Sequence, residues 1–407
     1  MPQFGMDIPR QLGYLPGMSD NTSGQHTVAV AVSGGADSLY SLLNLRKQGF
    51  RLFALHGIFL RPEDEQAAQA AAGMRERLAE ACDRIGVVLH RLDLAERFSE
   101  LVIRPFVQSY ALGLTPNPCA LCNARIKFGL LLDAALALGA DRLATGHYAR
   151  LEILEDGPDP FSPALLQGRD PGKDQSYFLA LTPLKALAKA LFPLGDSTKA
   201  DVLAALTEHD LPPPQPGESQ EVCFVPGDEY REFIPPMAAR FNIPLSGPGP
   251  MLLRDGRRIG THKGLWQYTE GQRKGLGVGW TEPLHVLGKE HAGNILRLGA
   301  KDDLRLDTII CNDVNILLPP DCWPETVLVK TRYREQPRPA KARLVPAEDG
   351  SGGQMLHICF ARPEHAVAPG QIAAVYVPGR EGALRLAAGG VIARAEGSCV
   401  FRDPELT

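Results

Sequence analysis

The chain is short of several things, and each scarcity excludes a class of protein. Its most apolar stretch, Leu52 to Leu60, falls well below the ~18–20 residues that span a bilayer. The opening residues hold no basic stretch followed by an apolar block, so no secretory signal is read and a cytoplasmic setting is expected. Cysteine is sparse, at eight in 407 residues, too few for a disulfide scaffold, and most of the thiols are expected to be reduced. Basic excess is missing as well. Lys and Arg number 43 against 47 Asp and Glu, a net charge of −4, which does not advertise a nucleic-acid binder. What remains is an ordinary globular composition, 44% hydrophobic and 22% charged, which excludes a disordered tail, a coiled coil or a collagen-like rod. At ~100–200 residues per domain, the length suggests two to four domains.

The pattern along the chain is α/β first and β-rich later. Residues 1–26 read as a loose leader. Thr27 to Val32 is a short β-branched and apolar run, as in a strand buried on both faces. Helix-like text follows from Leu39 to Lys47, a second strand over Arg51 to Leu60, a helix over 63–84 and a third strand over Gly86 to Leu92. A helix over Leu130 to Leu138 and a strand over Arg142 to Thr145 continue the alternation, which argues for an open parallel sheet. Leu211 to Gly217, with its consecutive prolines, reads as a linker. Residues 245–300 are Gly-rich with strand-sized pieces at Pro283 to Gly288 and Asn294 to Leu298. Strands at Val327 to Tyr333, Gln354 to Phe360 and Ile372 to Val377, separated by Pro and Gly turns, point to a small β-barrel. The expected division is a 1–26 leader, a catalytic α/β domain over 27–216, a small β-rich domain over 217–300 and a β-barrel over 301–407.

The strongest local signal is Ser33-Gly34-Gly35-Ala36-Asp37-Ser38, set between a strand and a helix. Adjacent glycines let backbone approach a polyphosphate, and the helix start offers unpaired N–H groups with a positive dipole end. Asp37 is a candidate to hold a Mg²⁺ that bridges phosphates, with the Ser33 and Ser38 hydroxyls as donors. An empty strand–helix turn is the plainer alternative. No Gly-Lys-Ser/Thr follows, so this is not a Walker-type loop. It resembles the pyrophosphatase loop of ATP-dependent enzymes that adenylate a substrate.

Further stretches occur in order: Thr115-Pro-Asn-Pro-Cys-Ala-Leu-Cys-Asn123 with Ile126-Lys127-Phe128, Ala144-Thr-Gly-His-Tyr148, Gly172-Lys-Asp-Gln-Ser-Tyr-Phe178, Leu191-Phe-Pro-Leu-Gly195, Glu218-Ser-Gln-Glu-Val-Cys-Phe224, Tyr268 to Gly277 and Ala368-Pro-Gly-Gln371. Together they resemble the bacterial tRNA-specific 2-thiouridylase family from about residue 27 to residue 394. The resemblance implies an N-terminal adenine-nucleotide-hydrolase-like domain followed by two tRNA-binding β domains. It implies ATP-dependent adenylation of O2 of the wobble uridine, with Mg²⁺, and then sulfur delivery with loss of AMP. Cys223 matches the persulfide-carrying cysteine, and Cys122 its partner. Ala31, Val32, Ser33, Gly34, Gly35, Ala36, Asp37, Ser38, Gly57 and Gly146 match the nucleotide site. Asn117 and Pro118, with Cys119 beside them, match the loop that meets the target base. His147, Lys173, Asp174, Gln175, Arg332, Tyr333 and Gln371 match tRNA-contacting positions. The implied partners are tRNA and an upstream persulfide or sulfide donor protein, with no membrane.

Three departures stand out. Cys119 replaces the family's usual Asp, Ala36 its usual Val, and Glu221 its usual Gly. Cys119, Cys122 and Cys223 could then supply three thiolates to a 4Fe–4S cluster whose remaining iron binds a sulfide. Structural zinc with a fourth ligand such as His147, or a redox C-x-x-C disulfide, are competing readings. Cys82, Cys311, Cys359 and Cys399 read as small buried hydrophobes. Local charge also departs from the total: Lys330 to Arg343 holds six basic residues against Glu335, and Arg254 to Lys274 six against Asp255 and Glu270. With Tyr333 and Trp266 nearby for stacking, these runs suit a folded RNA. Two other functions fit part of the pattern. Another pyrophosphatase-loop synthetase would explain the loop but not the cysteines. A non-catalytic metal–cysteine RNA-binding protein would explain the cysteines and leave the loop idle. No glycine-rich S-adenosylmethionine-type loop is found.

Overall fold

The computed structural model describes residues 26–153, 162–215, 222–347, 352–365 and 367–396. Nearly all of the leader, Cys399 and the Glu218 to Glu221 part of the second cysteine motif lie outside the described residues. The described residues fall into two compact units, within Met1–Glu96, Ala124–Glu218 and Pro378–Leu386 for one, and Arg97–Asn123, Ser219–Val377 and Ala387–Thr407 for the other.

The first unit is α/β, as the strand–helix alternation requires. In chain order its strands are β1 (Thr27–Ala31), β2 (Arg51–Ile58), β3 (Val88–Asp93), β4 (Arg142–Ala144), β5 (Ala149–Ile153), β6 (Pro163–Gln167) and β7 (Ala190–Leu191). Five of them form a parallel sheet in the order β3-β2-β1-β4-β7, with Val28 paired to Leu52 on one side and Arg142 on the other. Central β1 is sealed, with Val28, Ala29 and Val30 fully buried, which is why its text is apolar without alternation. The helix Ala36–Lys47 contributes Leu42 and Leu45 to the core, and the helix Glu65–Ile85 contributes Leu78 and Cys82. That second helix starts at Asp64, which accepts from the Ala67 N–H at 2.7 Å, and stops at Gly86 with φ 75°. β5 and β6 pair as an antiparallel hairpin.

The second unit holds a small sheet and a closed barrel. Strands β8 (Gly249–Leu253), β9 (Arg258–His262), β10 (His285–Glu290) and β11 (Ile295–Gly299) line up as β10-β11-β8-β9 over a core of Met251, Leu265, Val286, Leu296 and Leu298. The barrel strands are β12 (Arg305–Ile316), β13 (Val327–Lys330), β14 (Arg338–Pro346), β15 (Gln354–His365), β16 (Ile372–Pro378) and β17 (Leu384–Glu396). Their order is β12-β15-β14-β13-β16-β17, and β17 pairs back to β12, so no edge is left. Ile309, Cys311, Val329, Leu356, Ile358 and Val375 fill the interior. This unit also carries a helix for which the sequence analysis has no expectation, Tyr230–Phe241, which tolerates Pro235 and Pro236 and ends at Asn242 with φ 55°.

The cysteines read as buried hydrophobes divide. Cys82 and Cys311 are fully buried, and burial pushes both thiols up, Cys82 to about 11. Cys359 is buried too but disulfide-bonded, which corrects its reading as a plain buried thiol.

Candidate active site

The Ser33–Ser38 loop leaves the C-terminal end of β1, where ligands of open parallel sheets bind. Gly34 has φ +94°, a conformation that glycine adopts without strain, and a Cβ there would meet Met74 Sδ at 3.1 Å. Hydroxyls organise the turn. The Ser33 N–H donates to Ser38 Oγ at 3.2 Å, and the Ser38 hydroxyl donates to Gly35 O at 2.9 Å. Gly35 caps the helix Ala36–Lys47 with no side-chain acceptor, so the first helical amides stay available to an anion. Val32 is held through its carbonyl, which accepts from His56 Nδ1 at 2.8 Å. Burial lowers the His56 pKa, and its ring is therefore a neutral strut. The neighbouring Gly57 is the last residue but one of β2, and a Cβ there would strike the Phe59 ring at 2.6 Å.

Gly146 faces the loop from the end of β4. Its φ is unremarkable, but a Cβ would sit 3.0 Å from Asp37 C and 3.0 Å from Ser38 N. Only glycine lets the two segments come this close. Two side chains then converge on Asp37 Oδ1: the Tyr148 hydroxyl donates at 2.8 Å and the Lys199 ammonium at 2.7 Å. Lys199 opens the helix Lys199–Glu208, whose start is fixed by a capping box between Thr198 and Asp201. Sequence reasoning missed His56, Tyr148 and Lys199. For Lys199 the one available signal was the Ser-Thr-Lys-Ala-Asp start of a helix.

The remaining first-unit candidates line the same strand ends in different ways. His147 is 6% exposed, with Thr145 Oγ1 at 2.7 Å from Nδ1 and Lys127 Nζ at 3.5 Å from Nε2. Phe128 and Phe192 pack on its ring. Burial first, and the Lys127 charge second, hold its pKa well below the ordinary range, so the ring is neutral. Asp174 is buried and accepts from the Gly168 and Ser176 N–H groups, the Ser176 hydroxyl and the Gln167 amide. Gln175 exchanges hydrogen bonds with Tyr148, accepting from its N–H at 3.1 Å and donating its own N–H to Tyr148 O at 2.8 Å. Lys173 is half-buried beside them.

In the second unit the cysteine motif forms the start of a helix, Pro118–Cys122. Asn117 is its N-cap, accepting from the Ala120 N–H at 3.1 Å, and Pro118 occupies the first turn, where a missing N–H costs nothing. Cys119 and Cys122 are half-buried and Cys223 is exposed. The two cysteine segments share one scaffold. The Pro118–Cys122 helix packs on the π-type helix Ser99–Ile103, which leads into the helix Arg104–Ala111. Phe224, next to Cys223, packs edge-on against Phe98 at 5.7 Å, just before that stretch, and against Phe106 at 5.1 Å, within it. Phe233 of the Tyr230–Phe241 helix closes the cluster.

The barrel places Arg332 and Tyr333 in the turn after β13, with Lys330 Nζ 5.9 Å from the Tyr333 ring centre. Trp266 is only 8% exposed, which corrects its reading as a stacking surface. The exposed ring near that basic run is Trp280, 40% exposed, with the Arg257 guanidinium 4.9 Å from its centre. Gln371 lies in the turn before β16 and donates its amide to Thr115 O at 2.8 Å.

The fit of the inorganic groups differs. A lone carboxylate beside hydroxyls, as at Asp37, suits a cation that phosphate oxygens hold for the most part. Among the described residues no three His, Cys, Asp or Glu side chains gather as a metal site, so Cys119, Cys122 and Cys223 form no ready cradle for an iron–sulfur cluster or for zinc. Among the described residues no helix is long and apolar enough to cross a membrane.

Comparison with known proteins covers nearly the whole described chain. Residues 26–227 match the tRNA methyl transferase HUP domain, 242–300 the tRNA methyl transferase PRC-barrel domain, and 306–384 the aminomethyltransferase beta-barrel domain. The tRNA-specific 2-thiouridylase MnmA of Nitratidesulfovibrio vulgaris Miyazaki F is 47% identical over 365 residues, covering 90% of this chain and 98% of that protein. The protein of the same name from Oleidesulfovibrio alaskensis is 48% identical over 367 residues, covering 90% and 99%. That from Lawsonia intracellularis is 46% identical over 351 residues, covering 86% and 95%. Among solved structures, the U34-tRNA thiolase NcsA from Methanococcus maripaludis with its 4Fe-4S cluster aligns over 56% of this chain and 70% of its own, at 17% identity and a TM-score of 0.32, a likeness too slight to carry an argument.

Proposed function

The chain belongs to the tRNA-specific 2-thiouridylase family, and on that premise we propose that it carries out the ATP-dependent 2-thiolation of the wobble uridine of tRNA in the cytoplasm. The observation that carries this reading is the Ser33–Ser38 loop, a glycine turn at the end of a buried parallel strand with Gly146 pressed against it.

The chemistry follows from what a uracil carbonyl requires. Its oxygen is a poor leaving group, so O2 attacks the α-phosphorus of ATP and pyrophosphate departs. The backbone amides of the loop and of the Ala36–Lys47 helix start receive the phosphates. Asp37 would hold a Mg²⁺ together with those phosphates, and that ion would offset the charge of the departing pyrophosphate. Gly57 and Gly146 border the nucleotide.

Sulfur comes from a persulfide on Cys223, the more exposed thiol, loaded by an upstream donor protein. Its outer sulfur bonds to C2 and AMP leaves with the former O2. Transfer of that sulfur as sulfide needs two electrons. A Cys122 thiolate that attacks the inner sulfur of Cys223 supplies them and closes a Cys122–Cys223 disulfide, which a reductant reopens. Asn117, by capping the Pro118–Cys122 helix, fixes the cysteines relative to the base. Arg332 and the other basic residues of the barrel bind phosphates of the tRNA, and Tyr333 contacts the RNA beside them. Unmodified tRNA, ATP and a persulfide donor are expected to give 2-thiouridine with the wild-type chain and none with Cys223→Ala. Thiolation by Cys223→Ala at the wild-type rate would defeat the persulfide route.

A further inference from the structure

The loop that leads into the cysteine helix is fastened to the barrel. The Thr115 N–H donates to Pro369 O at 2.8 Å, and Gln371 Nε2 donates to Thr115 O at 2.8 Å and to Pro116 O at 3.4 Å. Between these bonds lies Gly370, with φ +93°, where a Cβ would come within 2.9 Å of Thr115 N and 3.0 Å of Thr115 C. The fastening point is itself rigid. The Gly370 N–H donates to Ile392 O at 2.7 Å, and the Ile392 N–H donates to Gln371 O at 2.8 Å, so the turn is stitched to β17. A weaker tie joins the Thr115 hydroxyl to Thr269 Oγ1 at 3.4 Å. Two residues past Thr115 stands Asn117, the cap of the Cys119 and Cys122 helix.

We infer that Gln371 is a positioning residue for the catalytic cysteines, holding the 114–117 loop to the barrel so that RNA seated on the barrel fixes where the thiols stand. The amide at Gln371 is suited to this task, because one nitrogen reaches two consecutive carbonyls of that turn. A positioning role and a bare RNA contact differ in what they change. Loss of an RNA contact weakens binding alone. Loss of the clamp misplaces the thiols in a bound complex, and a misplacement of about 1 Å costs about 10²-fold in turnover.

The inference rests on the proposed thiolation, and its test has an arm that does not. Gln371→Glu keeps the shape and removes the donor. Gln371→Met does the same without a charge, for the event that a carboxylate there prevents folding. Hydrogen exchange of peptides across residues 112–123 is measured for each full-length variant without RNA, and thiolation is measured with saturating ATP against tRNA concentration. Exchange of that segment is expected to speed up about tenfold, with kcat down about 10- to 100-fold and KM for tRNA within about threefold. Unchanged exchange would overturn the inference, as would faster exchange with kcat intact or a raised KM at normal kcat. A wild-type chain that makes no 2-thiouridine would sink the parent reading, while the exchange arm would still decide the clamp.

Discussion

The Lys199 ammonium lies 2.7 Å from the Asp37 carboxylate, although the two residues are 162 positions apart. Asp37 is on the Ser33–Ser38 loop and Lys199 opens the helix Lys199–Glu208, so the ion pair brings a cation to the place where the proposed reaction would release pyrophosphate. The side chains are 17% and 35% exposed, so the pair contributes only about 1 kcal/mol or less to stability. On the proposed reaction its role is at the phosphates rather than in stability. Lys199→Met is expected to lower ATP–pyrophosphate turnover about 10²-fold with a melting temperature near wild type, and Lys199→Arg is expected to recover part of it. Steady-state kinetics beside a thermal melt separate the two effects; a variant with full turnover refutes a phosphate role for Lys199.

Gly146→Ala places a methyl 3.0 Å from Asp37 C and Ser38 N, both backbone atoms that cannot swing aside. Overpacking of this kind costs about 1–3 kcal/mol. ATP affinity measured by calorimetry is expected to fall at least about tenfold, since the displaced atoms are those that face the phosphates. Equal affinity in the variant would mean that the loop has room to shift.

His147 ties stability to pH. Its folded pKa lies well below the ordinary 6.5, because burial disfavours the charged ring and Lys127 repels it. The unfolded chain binds a proton near 6.5 and the folded chain does not, so this group's contribution is complete above that pH and is lost as pH falls. The loss is about 1.4 kcal/mol per pH unit between 6.5 and the folded value. Urea unfolding at pH 7.5 and pH 5.5 is expected to show a smaller drop for His147→Gln than for wild type. Identical drops would place the proton elsewhere.

Cys119 stands on the same short helix as Cys122. With a persulfide donor, Cys119→Asp is expected to thiolate within about threefold of wild type, because capping and packing of that helix rest on Asn117, Pro118 and Ala120. A loss of about 10²-fold or more would make the thiol itself necessary.

The sequence carried the parts of this fold that depend on neighbours in the chain. β1, the phosphate loop and its helix were legible because an apolar β-branched run, a Gly-Gly pair and a helical pattern follow one another within 21 residues, from Thr27 to Lys47. The barrel was legible from short strands and turns. The Tyr230–Phe241 helix was not, since Pro235 and Pro236 argue against a helix that Ile234, Ala238 and the Phe233 contacts nonetheless hold together. Lys199, Tyr148 and the Gln371 clamp were beyond reach for another reason. Each acts on a partner more than a hundred residues away, and only the fold brings them together.

On the proposed route, sulfur travels through Cys223 onto an adenylated wobble uridine. The most direct test gives wild type, Cys122→Ala and Cys223→Ala unmodified tRNA, ATP and a donor carrying labelled persulfide sulfur, under anaerobic conditions with iron measured on each protein. Label is expected in 2-thiouridine from the wild type alone, dependent on ATP and independent of iron content. Labelled product from Cys223→Ala, or thiolation that tracks iron and needs no persulfide, would contradict it.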